Sequence, residues 1–269
     1  MSSEARVAIV TGAARGIGAA TTHALAGAGW AVLAVDIAAD DPALPYALGS
    51  LEDLDAVVET AQRVAYSRDA VAPFVGDVRD QAAMDAAVAD AESRWGGVDC
   101  AVACAAVIAG GRPGWELPVD QQQAVLDVDL GGVLNLARAA VPALLRRPEP
   151  RAGRFVAVAS AAATRGLSNL AAYCAAKAGV AGFVRALAAE LGGSGVTANA
   201  VSPGSTATSM LEESARLYDL PDIAGFAAQQ PIGRLIDPVE VAAVVAFLAS
   251  HESGGMTGAV VPVDGGLAL

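Results

Sequence analysis

Seven short β-branched runs, each separated from the next by an alanine-rich stretch of helical period, constrain this chain more than any other feature. They fall at Arg6–Thr11, Ala31–Asp36, Val71–Gly76, Asp99–Cys104, Arg154–Ser160, Val196–Val201 and Ala259–Val263. Strands that alternate with helices need crossover connections, which give a parallel sheet with helices on both faces. The expected fold class is therefore α/β: one doubly wound domain over residues 1–269 with a seven-stranded parallel sheet. A chain of 269 residues lies near the upper end of what one core serves, so no second domain is expected. Between the runs, Met84, Val88, Ala91 and Trp95 form one apolar helical stripe, which predicts a helix over Asp80–Trp95 with Trp95 in the core. Arg146–Pro150 reads as the turn that ends a long helix beginning near Asp120.

Composition narrows the function classes. Hydrophobic residues make up 54% of the chain and charged residues 17%, too apolar for disorder. A net charge of −12 repels phosphate backbones, so nucleic acid is not an expected partner. Cys100, Cys104 and Cys174 cannot all pair and show no metal-ligand spacing, so the reducing cytoplasm is the expected location and no metal is expected. The apolar run after Glu4 and Arg6 is too short for a signal peptide. No later stretch reads as a membrane span, so no membrane is expected either.

Directly after the first strand comes Thr11-Gly12-Ala13-Ala14-Arg15-Gly16-Ile17-Gly18. Glycines at a strand-to-helix junction turn the chain tightly and let a pyrophosphate approach the positive end of the helix. The second strand ends at Asp36, where a carboxylate can accept from both ribose hydroxyls and repel a 2′-phosphate, favouring NAD over NADP. Arg15 pulls the other way if it faces that ribose, and is otherwise a solvated side chain. Further on, Tyr173 and Lys177 stand at i and i+4 and share one helix face. An ammonium there stabilises a phenolate and should lower the tyrosine's pKa. Ser160, thirteen residues before Tyr173, can hydrogen-bond a substrate oxygen beside it, which completes a proton-transfer site.

The motifs Thr11-Gly12-x3-Gly16-x-Gly18, Asp77-Val78, Ser160, Tyr173-x3-Lys177, Asn199-x-Val201-x-Pro203-Gly204 and Val263-Asp264-Gly265-Gly266 together resemble the short-chain dehydrogenase/reductase family over nearly the whole chain. The resemblance implies a Rossmann fold, usually a homotetramer, and an NAD-dependent enzyme that interconverts a secondary alcohol and a ketone. It implies that Tyr173 is the general acid/base, that Lys177 tunes it and holds the nicotinamide ribose, and that Ser160 positions the substrate oxygen. Cofactor contacts are implied for Gly12, Arg15, Gly16, Ile17, Gly18, Asp36, Ile37, Asp77, Val78, Ala105, Pro203, Gly204, Thr206 and Thr208 as well as for Tyr173 and Lys177.

Two departures stand out. The family's Asn-Asn-Ala-Gly reads Cys104-Ala105-Ala106-Val107, and the helix asparagine of its proton relay is Asp129, which is expected to hold a water in a modified relay. Asp36 and Asp77 are also 41 residues apart, more than one helix and return strand need. The extra stretch, 37–54, resembles the insertion of the mycofactocin-coupled subgroup, and Ser50 with Asp53 reads as a capping box. That likeness implies NAD held without exchange and re-oxidised in place by a mycofactocin redox partner. The flap reading of Leu44, Pro45, Tyr46 and Leu48 competes with a plain surface excursion.

Residues 205–232 carry Met210, Leu211, Leu217, Tyr218, Leu220, Ile223 and Phe226, an expected lid suited to a small apolar alcohol or ketone. Trp115 reads equally as a pocket residue or a packing anchor, His23 and His251 as helical residues without partners, and the cysteines as apolar fillers. The apolar tail, Val260–Leu269, is expected to pair across a subunit interface. The rival readings are a freely exchanging NAD(P)(H) reductase of 3-oxoacyl type and a catalytically silent nicotinamide-binding sensor.

Overall fold

The computed structural model describes residues 5–269; Glu4 lies outside the described residues. Seven strands form one parallel sheet: β1 (Val7–Thr11), β2 (Ala31–Asp36), β3 (Val71–Val75), β4 (Cys100–Ala103), β5 (Arg154–Val158), β6 (Thr197–Pro203) and β7 (Val260–Val263), in the order β3-β2-β1-β4-β5-β6-β7. Every neighbouring pair is parallel, as the alternating pattern requires. Successive residues of a strand face opposite sides of its sheet, so β1 feeds two cores. Val7 and Ile9 pack with Met84, Val88 and Leu136, and Ala8 and Val10 with Leu25, Leu54 and Val245 on the other side. The strand order reverses between β1 and β4, and a crevice opens there at the carboxyl ends of the strands.

The helices are α1 (Gly16–Gly27), α2 (Leu51–Gln62), α3 (Gln81–Trp95), α4 (Val119–Leu126), α5 (Gly132–Arg146), α6 (Ala171–Glu190), α7 (Ser209–Leu217) and α8 (Pro238–Ala249). Asp80 caps α3 by accepting from Ala82 N–H, and Gly96 ends it in the left-handed region, the usual use of glycine at a helix end. Met84, Val88 and Ala91 are fully covered as expected. Trp95 is only partly buried, because its indole N–H reaches the Asp69 carbonyl at 3.1 Å at the rim.

The long helix from near Asp120 is real but not uniform. A π-turn, Asp127–Gly131, joins α4 to α5; such turns insert one extra residue and re-aim side chains, often at functional sites. The continuous helix Val119–Arg146 is long and apolar enough to cross a membrane by length and composition, which corrects the expectation that no stretch comes near that length. Here its apolar face, including Val133, Leu136, Ala140 and Leu144, is spent on the core.

Residues 37–50 form no helix or strand, and α2 starts at Leu51. The Ser50/Asp53 capping box is formed in both directions, so 51–54 belong to α2 and the irregular insertion ends at Ser50. Trp115 is 86% exposed, neither an anchor nor a pocket wall. His23 has a partner after all, Thr60 Oγ1 at 2.9 Å, and His251 lies in a bend beyond α8. The tail folds back on its own domain: Asp264 accepts from Gly266 and Ala268 N–H, and Leu267 is buried.

Candidate active site

The crevice is a cavity of about 610 Å³ at the strand ends. Of the catalytic and cofactor-contact residues expected from sequence, Asp129 alone is absent from its wall and instead pairs with Lys177. The glycine turn forms its floor. Gly12 (φ +67°) leaves so little room that a Cβ would lie 2.6 Å from Ala105 Cα, and a Cβ on Gly18 would lie 2.0 Å from the Gly12 carbonyl oxygen. Arg15, at the start of α1, offers no side-chain cap, which leaves the helix's first N–H groups free for an anion.

At one end Asp36 is aimed by two backbone donors, Ala14 N–H at 3.0 Å and Ala38 N–H at 3.1 Å. Arg15 donates to the Ala47 carbonyl at 3.0 Å, so its guanidinium ties the loop to the insertion instead of being merely solvated. Arg79 joins Asp77 to the insertion's buried Asp41, at 2.7 and 2.5 Å. Tyr46, also from the insertion, accepts from Ile108 N–H through its hydroxyl oxygen at 2.8 Å. Ile37, Asp41, Leu48 and Gly49 thereby become part of the cavity wall.

At the other end α6 carries Tyr173 and Lys177, both buried. Lys177 Nζ donates to the Val158 carbonyl at 3.2 Å, lies 3.2 Å from Asp129 Oδ2, and sits 5.6 Å from the centroid of the Tyr173 ring. Asp129 Oδ1 accepts from Val107 N–H at 2.8 Å. Its other carboxylate oxygen thus meets Lys177 directly. Ser160 caps the short turn after β5, its Oγ accepting from Ala162 N–H at 3.1 Å. Burial raises the Tyr173 phenol above its ordinary value, the Lys177 ammonium pulls it down, Asp129 adds to the rise, and the Ser160 hydroxyl again lowers it. The outcome is upward, which corrects the expected lowering: in a dry site, desolvation of the phenolate outweighs one nearby cation that is itself paired.

Burial also pushes the Cys100 and Cys104 thiols up to about 12, so both remain protonated fillers. The lid is present. Thr208 caps α7 by accepting from Leu211 N–H; Leu211, Ala215 and Phe226 make its small core. Tyr218 ties it to the loop before α6 by donating to the Ser168 carbonyl at 2.6 Å. No cluster of three or more His, Cys, Asp or Glu suited to a metal occurs among the described residues.

Residues 12–268 match the family described as Enoyl-(Acyl carrier protein) reductase. The chain is 40% identical to the short-chain reductase protein NovJ of Streptomyces niveus, over 98% of this chain and 94% of that protein. The chain belongs to the short-chain dehydrogenase/reductase family. This short-chain dehydrogenase/reductase is also 38% identical to cis-4-hydroxycyclohexanecarboxylate dehydrogenase of Sinomonas cyclohexanicum, over 97% of this chain and 96% of the relative. In structure it resembles carveol dehydrogenase from Mycobacterium avium in complex with NAD, with TM-score 0.90, 32% identity and 97% of each chain covered. It is an oxidoreductase acting on alcohol and ketone groups.

Sequence reasoning missed the Arg79–Asp41 pair, the Tyr46–Ile108 bond and the Asp129–Lys177 contact. The first two join the insertion to residues 38 and 62 positions away, beyond any local pattern. The third had a signal, the aspartate itself, but not the direction in which the π-turn aims it.

Proposed function

We propose that this enzyme interconverts an apolar secondary alcohol and its ketone with NAD. In this reading the NAD stays held beneath the insertion and is re-oxidised in place by a mycofactocin-type redox partner, in a cytoplasmic homotetramer. The observation that carries the reading is the convergence of Ser160, Tyr173 and Lys177 on the same cavity as the glycine turn and Asp36. The residues fit the cofactor: Gly12 and Gly18 let the turn pack against Ala105 and against itself more closely than any Cβ would allow, which leaves the uncapped first N–H groups of α1 at the cavity for a pyrophosphate, and Asp36 offers an oriented carboxylate to a ribose diol and opposes a 2′-phosphate.

Bound there, NAD would supply the hydride acceptor for the alcohol carbon and, in its reduced form, the hydride donor for the ketone. The chain's own residues manage the proton. Tyr173 Oη accepts it from the alcohol during oxidation and delivers it to the carbonyl oxygen during reduction, while the Ser160 hydroxyl orients that oxygen. Lys177, anchored on Val158, holds a positive charge beside the ring. Leu167, Leu170, Met210, Tyr218, Leu220 and Phe226 line the cavity and would exclude water from an apolar substrate. The insertion's bonds to Arg15, Arg79 and Ile108 support slow cofactor release.

The test is mass spectrometry of small molecules released on denaturing the purified protein, followed by a panel of cyclic alcohols and ketones. NAD should copurify near stoichiometrically, and one alcohol class should reduce it in a single burst that an added electron acceptor makes catalytic. Cofactor-free protein that turns over rapidly on added NAD(P) would remove the held-cofactor part. No turnover of any alcohol or ketone would leave a nicotinamide-binding sensor.

A further inference from the structure

The π-turn between α4 and α5 aims one carboxylate into the most buried part of the site. Asp129 has no exposure to solvent. One of its oxygens is satisfied by Val107 N–H; the other makes no directed hydrogen bond and instead rests 3.2 Å from the ammonium of Lys177, which is itself 2% exposed. A buried carboxylate without a hydrogen on one oxygen is costly unless a cation faces it. Lys177 is that cation, and it is also the group that must stabilise a Tyr173 phenolate.

We propose that Asp129 is a charge-balancing positioning residue: paired with Lys177, it offsets the ammonium's pull on Tyr173 and so sets the site to give a proton to a ketone at neutral pH and to take one from an alcohol in alkaline solution. This inference rests on the assignment of Tyr173 as the acid/base.

The surroundings of Tyr173 leave few other groups to do this. On its own helix it is faced by Lys177 and Cys174, from the turn after β5 by Ser160, and from the π-turn by Asp129. Cys104, beyond β4, faces Lys177 and stays a neutral thiol. Tyr46 of the insertion is near Asp129, and its phenol is held neutral by burial and by that carboxylate. Burial pushes the Asp129 carboxyl up, and the Lys177 ammonium and Val107 N–H work against that rise. Facing Lys177 at 3.2 Å, Asp129 is the one group in the set that can carry a negative charge beside the ammonium, and at low effective dielectric a charge within one or two side chains is felt strongly. Lys177 in turn is lowered by burial but raised more by Asp129 and Tyr173, and so remains an ammonium.

The test compares wild type with Asp129→Asn, whose amide oxygen can still accept from Val107 N–H. Asp129→Ser is the second neutral variant should the amide disturb folding, and Asp129→Glu the charge-retaining rescue. Phenolate absorbance is titrated in each, as a difference against the same protein with Tyr173→Phe, alongside the pH profile of kcat/KM for alcohol oxidation. The neutral variants should bring the Tyr173 titration and the rising limb of oxidation down by about one pH unit or more, and the glutamate variant should stay with wild type. An unchanged phenolate titration in a folded neutral variant would overturn the proposal, since Asp129 would then carry no charge that Tyr173 feels. If the titration moves but wild type oxidises no alcohol, the charge balance stands and the functional assignment fails.

Discussion

A phenol, an ammonium and a carboxylate share one dry corner of this molecule, and each is placed by something different. Tyr173 and Lys177 are brought together by helical spacing alone, which is why their pairing was legible from the chain. Asp129 arrives through a π-turn, whose extra residue no hydrophobic period reveals, so its partner was not. Removing the reacting oxygen isolates the chemistry: Tyr173→Phe should lower turnover by about 10²–10⁴-fold with an unchanged melting curve, as measured by steady-state rates and circular dichroism. The glycine turn carries a second prediction. In Gly18→Ala the new Cβ meets the Gly12 carbonyl oxygen, backbone that cannot step aside, so stability should fall by about 1–3 kcal/mol. Cofactor retention should fall with it, measured by denaturant melts and by NAD released per chain.

Among the elements, the strands and their parallel pairing followed from β-branched runs separated by helical periods, and the Ser50/Asp53 capping box was readable because a cap is a local device. The insertion was visible only as surplus length between Asp36 and Asp77. What it does depends on contacts with Arg15, Arg79 and Ile108, and spacing says nothing about such distant pairs. Tyr46 is the most sensitive of them, because its hydroxyl oxygen satisfies the N–H of buried Ile108. Tyr46→Phe keeps the ring but orphans that donor, at a cost of about 1–3 kcal/mol, and stopped-flow displacement should show faster NAD release. A release rate equal to wild type would mean that the insertion is anchored without this bond.

At the scale of the whole molecule, strand order, glycine turn, insertion and the 205–232 stretch meet at one crevice, where β1 and β4 diverge. Asp264 folds the apolar tail back onto its own domain, and Leu267 reaches the cavity wall. Even so, β7 is a half-exposed edge, and α8 leaves Val239 and Phe247 open. These support the proposed tetramer, for which light scattering should give four times the 26.7 kDa chain mass. The most direct measurement of the central claim is a crystal structure of the protein with NAD and an unreactive ketone analogue. The account predicts the adenosine ribose on Asp36, the pyrophosphate over Gly12 to Gly18, and the analogue's oxygen between Tyr173 Oη and Ser160 Oγ beside the nicotinamide. A dinucleotide bound elsewhere, or a Tyr173 hydroxyl turned away from the ring, would contradict it.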